Sequence, residues 1–193
     1  MIQIIDYGAG NIGSVRNALE KIGQSYEIVD SPEGLDGISK VIFPGVGAAQ
    51  SAMENLLGKN FIKAIRRLKV PFLGICLGMQ LLFDFSEEGN CKCMGLISGR
   101  IRKFSGKLKV PQIGWNKVKK LREDIIFRGI ADESYFYFVN SYFASVENSL
   151  AGAYYEGLFS AVVKKENFYG VQFHPEKSGE TGLLLLRNFC ELC

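Results

Sequence analysis

The stretch VPFLGICLGMQLLF, residues 70–83, places a cysteine between two glycines. An apolar run typical of a buried strand precedes Cys76, and a run with helical spacing, roughly Leu77 to Phe83, follows it. Gly74-Ile75-Cys76-Leu77-Gly78 has the spacing of a nucleophile elbow, a sharp strand-to-helix turn that exposes its central side chain at the top of a sheet. The stretch therefore predicts an α/β unit with Cys76 at its turn.

Two interpretations of Cys76 are open at this point. A cysteine in an apolar run is most often a buried structural residue. The flanking glycines and the helix that follows favour a reactive thiol instead, because backbone N–H groups and the positive end of a helix dipole favour the thiolate. If Cys76 is a nucleophile, the chain must also provide a base.

The rest of the chain divides into two halves with different patterns. In the first half, apolar strands alternate with helical patterns, which is typical of a parallel sheet with helices on both faces. We predict strands at 2–6, 26–30, 40–44 and 71–75, and helices at 13–22, 48–57 and 60–68. The second half is mostly strand-like before a last helix at 179–192, with strand patterns at 95–104, 114–121, 134–146, 151–156, 159–165 and 168–173. The sequence thus predicts one domain over 1–193, with a mixed, mainly parallel central sheet and antiparallel additions in its second half.

The chain contains one histidine, His174, in the stretch GVQFHPEKS at residues 170–178. If Cys76 works with an imidazole base, that base must be His174. Pro175 disfavours helical geometry at His174 and keeps it extended. Glu176, two residues further on, can orient the ring and stabilise the imidazolium. A surface histidine in a turn is the alternative, but the combination favours a triad of Cys76, His174 and Glu176.

Composition excludes several classes of function. Hydrophobic residues make up 47% of the 193 residues and charged residues 22%, as in ordinary globular proteins. The net charge of +3 is too small to indicate nucleic acid, and we interpret the basic stretch at 100–109 as a solvated hairpin. No apolar run reaches the roughly 18 residues that span a membrane, and the N-terminus has no signal-peptide pattern. We expect a cytoplasmic protein without nucleic-acid or membrane partners.

The five cysteines raise the question of a metal site. An odd number without a secretory signal favours reduced thiols. Cys91-x-Cys93 and Cys190-x-x-Cys193 could supply four zinc ligands, but neither pair has the usual sequence context. We expect no metal and no cofactor.

A dinucleotide site is a competing interpretation of the N-terminus. Residues 8–13, GAGNIG, form a literal G-x-G-x-x-G with Gly8, Gly10 and Gly13 between a predicted strand and helix, and Asp30 ends the next strand. This interpretation requires a second mononucleotide-binding half and explains neither Cys76 nor the His174-Pro175-Glu176 stretch. It is retained as a remote alternative.

Taken together, the motifs PGVG (44–47), GICLGMQLL (74–82), GWN (114–116), YFYFVNSY (135–142) and GVQFHPEKS resemble class I glutamine amidotransferases. With IIDYGAGNIGSV at the N-terminus, they resemble more narrowly the glutaminase subunits of imidazole glycerol phosphate synthases. The resemblance runs from residue 2 to about 190 and implies a flavodoxin-like α/β fold.

The resemblance also implies roles for individual residues. Cys76 would attack the side-chain amide of L-glutamine, and His174, oriented by Glu176, would carry the proton to the departing ammonia. Donors for the oxyanion would be the N–H of Leu77 and a peptide N–H of the Gly45-Val46-Gly47 loop. Further contacts to glutamine would come from Gln80 and from the backbone at Ser141 and Tyr142.

The resemblance further implies a partner, because ammonia that escapes into water becomes protonated and loses its nucleophilicity. That partner would be a (β/α)₈-barrel cyclase subunit, which makes imidazole glycerol phosphate and AICAR in histidine biosynthesis, in a heterodimer contacted by Asn11, Trp115 and Lys177. Two positions depart from the family pattern, since Asn140 and Gln112 stand where His is usual or frequent. These departures leave open a paralogous glutaminase that supplies a sugar amidotransferase for bacterial surface glycans.

Overall fold

The computed structural model describes residues 1–193, apart from the side chain of Asn148. Its helices lie close to the predicted segments: α1 Ile12–Lys21, α2 Ala49–Gly58, α3 Phe61–Ile65, α4 Leu77–Gln80 and α5 Gly179–Leu192. The strands of the first half are β1 Ile2–Ile5, β2 Tyr26–Val29, β3 Lys40–Gly45, β4 Phe72–Cys76, β5 Phe85–Ser86 and β6 Cys91–Lys92. Those of the second half are β7 Arg100–Lys103, β8 Gln112–Lys120, β9 Ser134–Asn140, β10 Tyr142–Ala144, β11 Ser149–Tyr154, β12 Leu158–Lys165 and β13 Phe168–Val171.

The central sheet of the described residues has nine strands in the order β2-β1-β3-β4-β13-β12-β11-β8-β9. Its first five strands are parallel, and their order is the flavodoxin-like one, with β13 in the place of the fifth strand. The strands from β12 onward are antiparallel to their neighbours. The predicted mixed α/β sheet is confirmed. Half of the strand pairings in this sheet are parallel and half are antiparallel.

Helices cover both faces of the parallel half, as predicted. Successive residues of a strand point to opposite faces, so Ile42 packs in one hydrophobic cluster and Val41 and Phe43 in the other. Buried residues of α1 and α5 join Ile42, whereas those of α2 and α3 join Phe43. Buried positions of α1 at Val15, Ala18 and Leu19 follow the helical period that makes such packing favourable.

Three details differ from the sequence-based expectations. The helix after Cys76 ends at Gln80 rather than near Phe83, and the chain continues in tight turns. The basic stretch 100–109 is not a hairpin, because β7 pairs with β10 and β5 instead. The sequence did not indicate the second sheet, whose described strands lie in the order β10-β7-β5-β6.

Among the described residues, the helices are all too short or too polar to cross a membrane.

Candidate active site

Three neighbouring parallel strands bring the predicted catalytic segments to one edge of the sheet. Gly45, at the end of β3, is the register partner of Cys76, at the end of β4. On the other side of β4, Val171 of β13 is the partner of Ile75, and the chain continues from there to His174. Ligands of open α/β sheets bind at the carboxyl ends of such strands. The fold therefore brings together residues that are up to about 130 positions apart in the chain.

The turn at Cys76 is strained and closely packed. Cys76 has φ +54° and ψ −111°, a conformation that non-glycine residues adopt rarely and at a cost in energy. A Cβ on Gly74 would come within 2.7 Å of the Gly78 carbonyl oxygen, and one on Gly78 would overlap the Phe43 carbonyl oxygen. Both glycines of the elbow are therefore required by backbone contact, as the G-x-C-x-G spacing predicted.

Backbone and side-chain groups surround the Cys76 sulfur. Its Sγ lies 3.7 Å from the carbonyl oxygen of Val139 and 3.8 Å from Nε2 of Gln172, which donates to it. Cys76 is 8% exposed and forms part of a cavity wall. The thiol is thus held on one side by β9 and remains open to the cavity on the other.

His174 is held from two sides, and its ring interacts with both of its predicted partners. Its Nδ1 lies 2.8 Å from Oε1 of Glu176, whose side chain is buried, so Nε2 is left for the Cys76 side chain. Its backbone N–H donates to the Tyr137 carbonyl at 2.9 Å, and its carbonyl accepts from the Ser178 hydroxyl at 2.6 Å. These contacts fix the ring between sulfur and carboxylate, the geometry of a nucleophile–base–orienter array.

The surroundings of His174 favour the imidazolium. Burial opposes the charge, but the hydrogen bonds and negative charge of Cys76 and Glu176 outweigh it and raise the pKa of His174 to about 10. A protonated imidazole beside a thiolate is the resting state of an activated cysteine. The ring then already carries the proton that a leaving group requires.

The other cysteines lie in different environments. Burial raises the pKa of the Cys93 and Cys190 thiols to about 12, and it also raises the pKa of Cys91 and Cys193. The Cys91–Cys93 pair and the Cys190–Cys193 pair belong to different hydrophobic clusters. Among the described residues, His, Cys, Asp and Glu side chains form no group of three or more that could hold a metal ion.

A cavity of about 260 Å³ opens at Cys76 and His174. This volume lies below the roughly 300–1,000 Å³ typical of pockets for drug-sized ligands and suits a small metabolite. The structure brings most of the predicted glutamine contacts into its wall, namely Val46, Gly47, Leu77, Gln80, Ser141 and Tyr142. Gly45 lies just behind this wall, where a Cβ would come within 2.5 Å of the Gly78 N–H nitrogen.

Gln80 has a different set of contacts from the one expected of a ligand-binding amide. Its Nε2 donates to the Tyr142 carbonyl at 3.1 Å and to Oε1 of Gln172 at 2.9 Å. Because Gln172 in turn contacts the Cys76 sulfur, Gln80 ties β10 to the elbow. Its position in the cavity wall agrees with the prediction, while its amide N–H groups are used within the protein.

The sequence did not identify Glu88 as part of the site. Glu88 lines the same cavity, and its Oε2 accepts the Ala49 N–H at the start of α2 at 2.8 Å. The carboxylate therefore faces both the cavity and the helix that follows the Gly45-Val46-Gly47 loop. Its neighbourhood, SEEGN at 86–90, has no pattern that would have revealed this role.

The predicted partner-contact residues lie outside the cavity. The outer face of β8 and β9 includes the exposed side chains of Ile113, Trp115 and Tyr135 and the half-buried Tyr137, and the Trp115 and Tyr137 rings are 6.0 Å apart. Trp115 is 56% exposed and Ile113 61%, which is unusual for a cluster of large apolar side chains. Lys177 is exposed in the turn after His174, whereas Asn11 caps α1 by accepting the Ser14 N–H at 3.2 Å.

The glycine-rich loop of residues 8–13 packs against its neighbours. A Cβ on Gly10 would come within 3.3 Å of the Pro44 carbonyl oxygen, and Gly8 lies beside the Asn55 amide. Gly10 of the dinucleotide-like motif thus packs closely against β3, and Gly8 lies beside α2.

The arrangement defines a class of protein, in which a cysteine–histidine–glutamate array faces a small cavity at the carboxyl edge of a flavodoxin-like sheet. The family model described as glutamine amidotransferase class-I matches residues 3–192. The chain belongs to the class I glutamine amidotransferase family.

Within that family, the chain matches relatives over almost their full length. The chain is 48% identical over 192 residues to imidazole glycerol phosphate synthase subunit HisH of Haemophilus influenzae, covering 98% of this chain and 96% of the relative. It is 44% identical over 194 residues to the subunit of the same name from Xanthomonas axonopodis pv. citri, covering 99% and 97%.

Solved structures share the fold at low sequence identity. One described as a glutamine amidotransferase superposes with a TM-score of 0.77 at 18% identity, covering 99% of this chain and 97% of that one. PurLQS from Thermotoga maritima superposes with a TM-score of 0.71 at 22% identity, covering 98% and 96%.

Proposed function

We propose that this chain is the glutaminase subunit of an imidazole glycerol phosphate synthase, hydrolysing glutamine and delivering the ammonia to a cyclase subunit. The observation that carries this proposal is that Cys76 and His174 line one small cavity, with His174 Nδ1 2.8 Å from the Glu176 carboxylate. Membership of the amidotransferase family supports glutamine as the substrate. The names of both relatives support the synthase and its place in histidine biosynthesis.

The chemistry follows from the geometry. The Cys76 thiolate attacks the side-chain carbonyl carbon of glutamine, and the oxyanion accepts hydrogen bonds from the Leu77 N–H and from the Gly45-Val46-Gly47 loop. His174 gives its proton to the amide nitrogen, and the C–N bond breaks. Ammonia leaves, and a γ-glutamyl thioester remains on Cys76. The now neutral ring takes a proton from water, which attacks the thioester and releases glutamate and the thiolate.

Other residues of the cavity wall support recognition of an amino acid. The Glu88 carboxylate provides a negative charge for the α-ammonium group of glutamine, and the backbone at Ser141 and Tyr142 offers hydrogen bonds to its polar groups. Glu88 also accepts a hydrogen bond from the start of α2, the helix that follows the oxyanion loop. The same carboxylate therefore contributes to substrate recognition and to the position of that loop.

The delivery of ammonia requires a partner, because ammonia that escapes into water becomes protonated and loses its nucleophilicity. The exposed apolar face of β8 and β9, together with Asn11 after β1 and Lys177 after β13, is suited to a (β/α)₈-barrel cyclase subunit in a cytoplasmic heterodimer. The names of the relatives favour this pathway over a sugar-amidotransferase partner.

The proposal is tested by measuring glutamate release from the isolated chain, from the chain with cyclase subunit, and from that complex with its nucleotide acceptor. Gly47, at φ +101°, makes reorientation of a neighbouring peptide inexpensive, so we expect the oxyanion donor to be turned away until the partner binds. One oxyanion donor is worth about 10²–10³ in kcat, so stimulation of at least about a hundredfold is expected. Full activity of the isolated chain would contradict the gated loop, and stimulation only by a sugar amidotransferase would overturn the pathway.

A further inference from the structure

Four buried side-chain oxygens of the described residues have no hydrogen-bond partner, those of Tyr7, Gln112, Asn140 and Glu176, and two of them lie on neighbouring strands beside the catalytic cavity. Gln112 of β8 and Asn140 of β9 are direct register partners, and they are 4% and 5% exposed. Side chains in such positions have their Cβ atoms about 5 Å apart. Oε1 of Gln112 and Oδ1 of Asn140 are both buried and both without a partner among the described residues.

The orientation of Asn140 is fixed by its own amide group. Its Nδ2 donates to the Tyr142 carbonyl oxygen at 3.0 Å, so exchanging the amide oxygen and nitrogen would set two oxygens against each other. The unpaired Oδ1 is therefore a property of the fold. Buried acceptors are nearly always paired, and an unpaired one calls for an explanation.

The location of the two oxygens suggests what they bind. Asn140 and Pro111, the neighbour of Gln112, line the cavity that holds Cys76 and His174. On the other side of Gln112, the strand continues into Ile113 and Trp115 of the exposed apolar face. Successive residues of a strand point to opposite faces, so the two acceptors lie on the buried side of β8 and β9, beside the cavity where ammonia is released and at the strand ends where the apolar outer face begins.

We propose that Gln112 and Asn140 form an acceptor pair that binds ammonia as it passes from the catalytic cavity towards the partner. This inference rests on the proposed function. Neutral ammonia has three N–H donors, and two carbonyl oxygens accept two of them while the lone pair stays free for the acceptor substrate. Because solvent does not reach either oxygen, ammonia held there is kept from bulk water, which would protonate it.

The experiment uses the complex of this chain with its cyclase subunit. Glutamine labelled with ¹⁵N in its side-chain amide is supplied together with an excess of unlabelled ammonium chloride, and the ¹⁵N fraction of the imidazole product is measured beside glutamate release. With the natural chain, the product should carry nearly all of its new nitrogen from glutamine. Gln112→Leu should lower the labelled fraction at least about threefold, since ammonia then exchanges with the bulk.

Matched variants separate this role from a general loss of structure. Gln3→Leu removes another buried strand glutamine, far from the cavity, and should leave the labelled fraction unchanged. Gln112→His, which again offers an acceptor, should restore the fraction that Gln112→Leu loses. Synthesis driven by ammonium chloride alone should remain, which shows that the partner subunit is intact.

The possible results distinguish a failure of the acceptor pair from a failure of the proposed function. An unchanged labelled fraction in Gln112→Leu would overturn the acceptor pair while the proposed function stands. A slower release of glutamate at constant labelled fraction would also overturn it, because the pair would then bind the hydrolytic water. If the natural complex itself transfers no label to the product, the proposed function fails.

Discussion

The parallel and antiparallel halves of the sheet use their backbones in different ways. Around Cys76, the strand ends and the short helix α4 approach so closely that Gly45, Gly74 and Gly78 have no room for a Cβ. At β8 and β9, large apolar side chains cover the outer side of the strands, and Ile113, Trp115 and Tyr135 are exposed there. The parallel half thus sets the position of the nucleophile by backbone contact, whereas the antiparallel half offers side chains for a ligand path and a partner.

The largest expected effect comes from removing the nucleophile of the parallel half. Cys76→Ala and Cys76→Ser should lower kcat/KM for glutamine hydrolysis by at least about 10⁴-fold, because loss of one member of a catalytic array removes most of its rate enhancement. The measurement is glutamate release by the complex with its partner.

Cys91→Ser is the matched control and should keep the activity of the natural chain. An electrophilic glutamine analogue should also label one cysteine, Cys76. Labelling of Cys91 or Cys193 instead would show that the assignment of the nucleophile is wrong.

The next effect tests the close backbone packing. Gly78→Ala should lower the free energy of unfolding by about 3 kcal/mol, because the new methyl group meets the Phe43 carbonyl. Gly13→Ala, in α1, has nothing within 4 Å and should raise stability by up to about 1 kcal/mol. Urea unfolding of both variants checks the contrast, and equal stabilities would refute it.

A smaller effect is expected at the outer face of β8 and β9. Trp115→Ala should weaken binding of the cyclase subunit by about 2 kcal/mol, roughly 30-fold in Kd, as for a central aromatic interface residue. Calorimetric titration of one subunit with the other measures this change. Tyr154→Ala removes a more exposed aromatic ring, 71% exposed, from the end of β11 and should leave Kd unchanged. Equal losses in both variants would argue against a localised interface.

The smallest effect concerns the protonation of His174. Since Glu176 helps to raise its pKa, Glu176→Gln should lower that pKa and reduce the imidazolium fraction in alkaline solution. The sign follows from the charge, because the carboxylate stabilises the protonated ring and the amide does not. The chain has one histidine, so its imidazole resonances can be titrated by NMR without ambiguity. Glu180→Gln, at an exposed position of α5, should leave the titration unchanged, and an identical curve for Glu176→Gln would remove Glu176 from its orienting role.

Much of the fold was predictable because its signals are local. The alternation of apolar strands and helical patterns indicated β1 to β4 and the helices between them within a few residues. The second sheet was not predicted because β5 and β6 have two residues each, too few to show a period. The helix after Cys76 was predicted too long, since the apolar run to Phe83 continues after α4 in tight turns.

In the candidate site, too, the residues with a local sequence signal could be predicted and the others could not. His174 could be named from the sequence because the chain offers one imidazole, and Glu176 because it lies two residues away. Glu88 and the Gln112–Asn140 pair could not, because a carboxylate or an amide on its own has no distinctive pattern, and their significance comes from what they face.

The sequence by itself determined which groups can do chemistry, namely an elbow cysteine, a single histidine with its neighbouring glutamate, and glycines at a loop and a turn. These follow from residue type and short spacing, which act through local backbone geometry. Only the tertiary structure decided that β13 lies beside β4, so that His174 meets Cys76, and that the paired strands β8 and β9 bury two unpaired acceptors behind an apolar face. Strand order and register arise from burial across the whole sheet, a property that no short stretch of the chain contains.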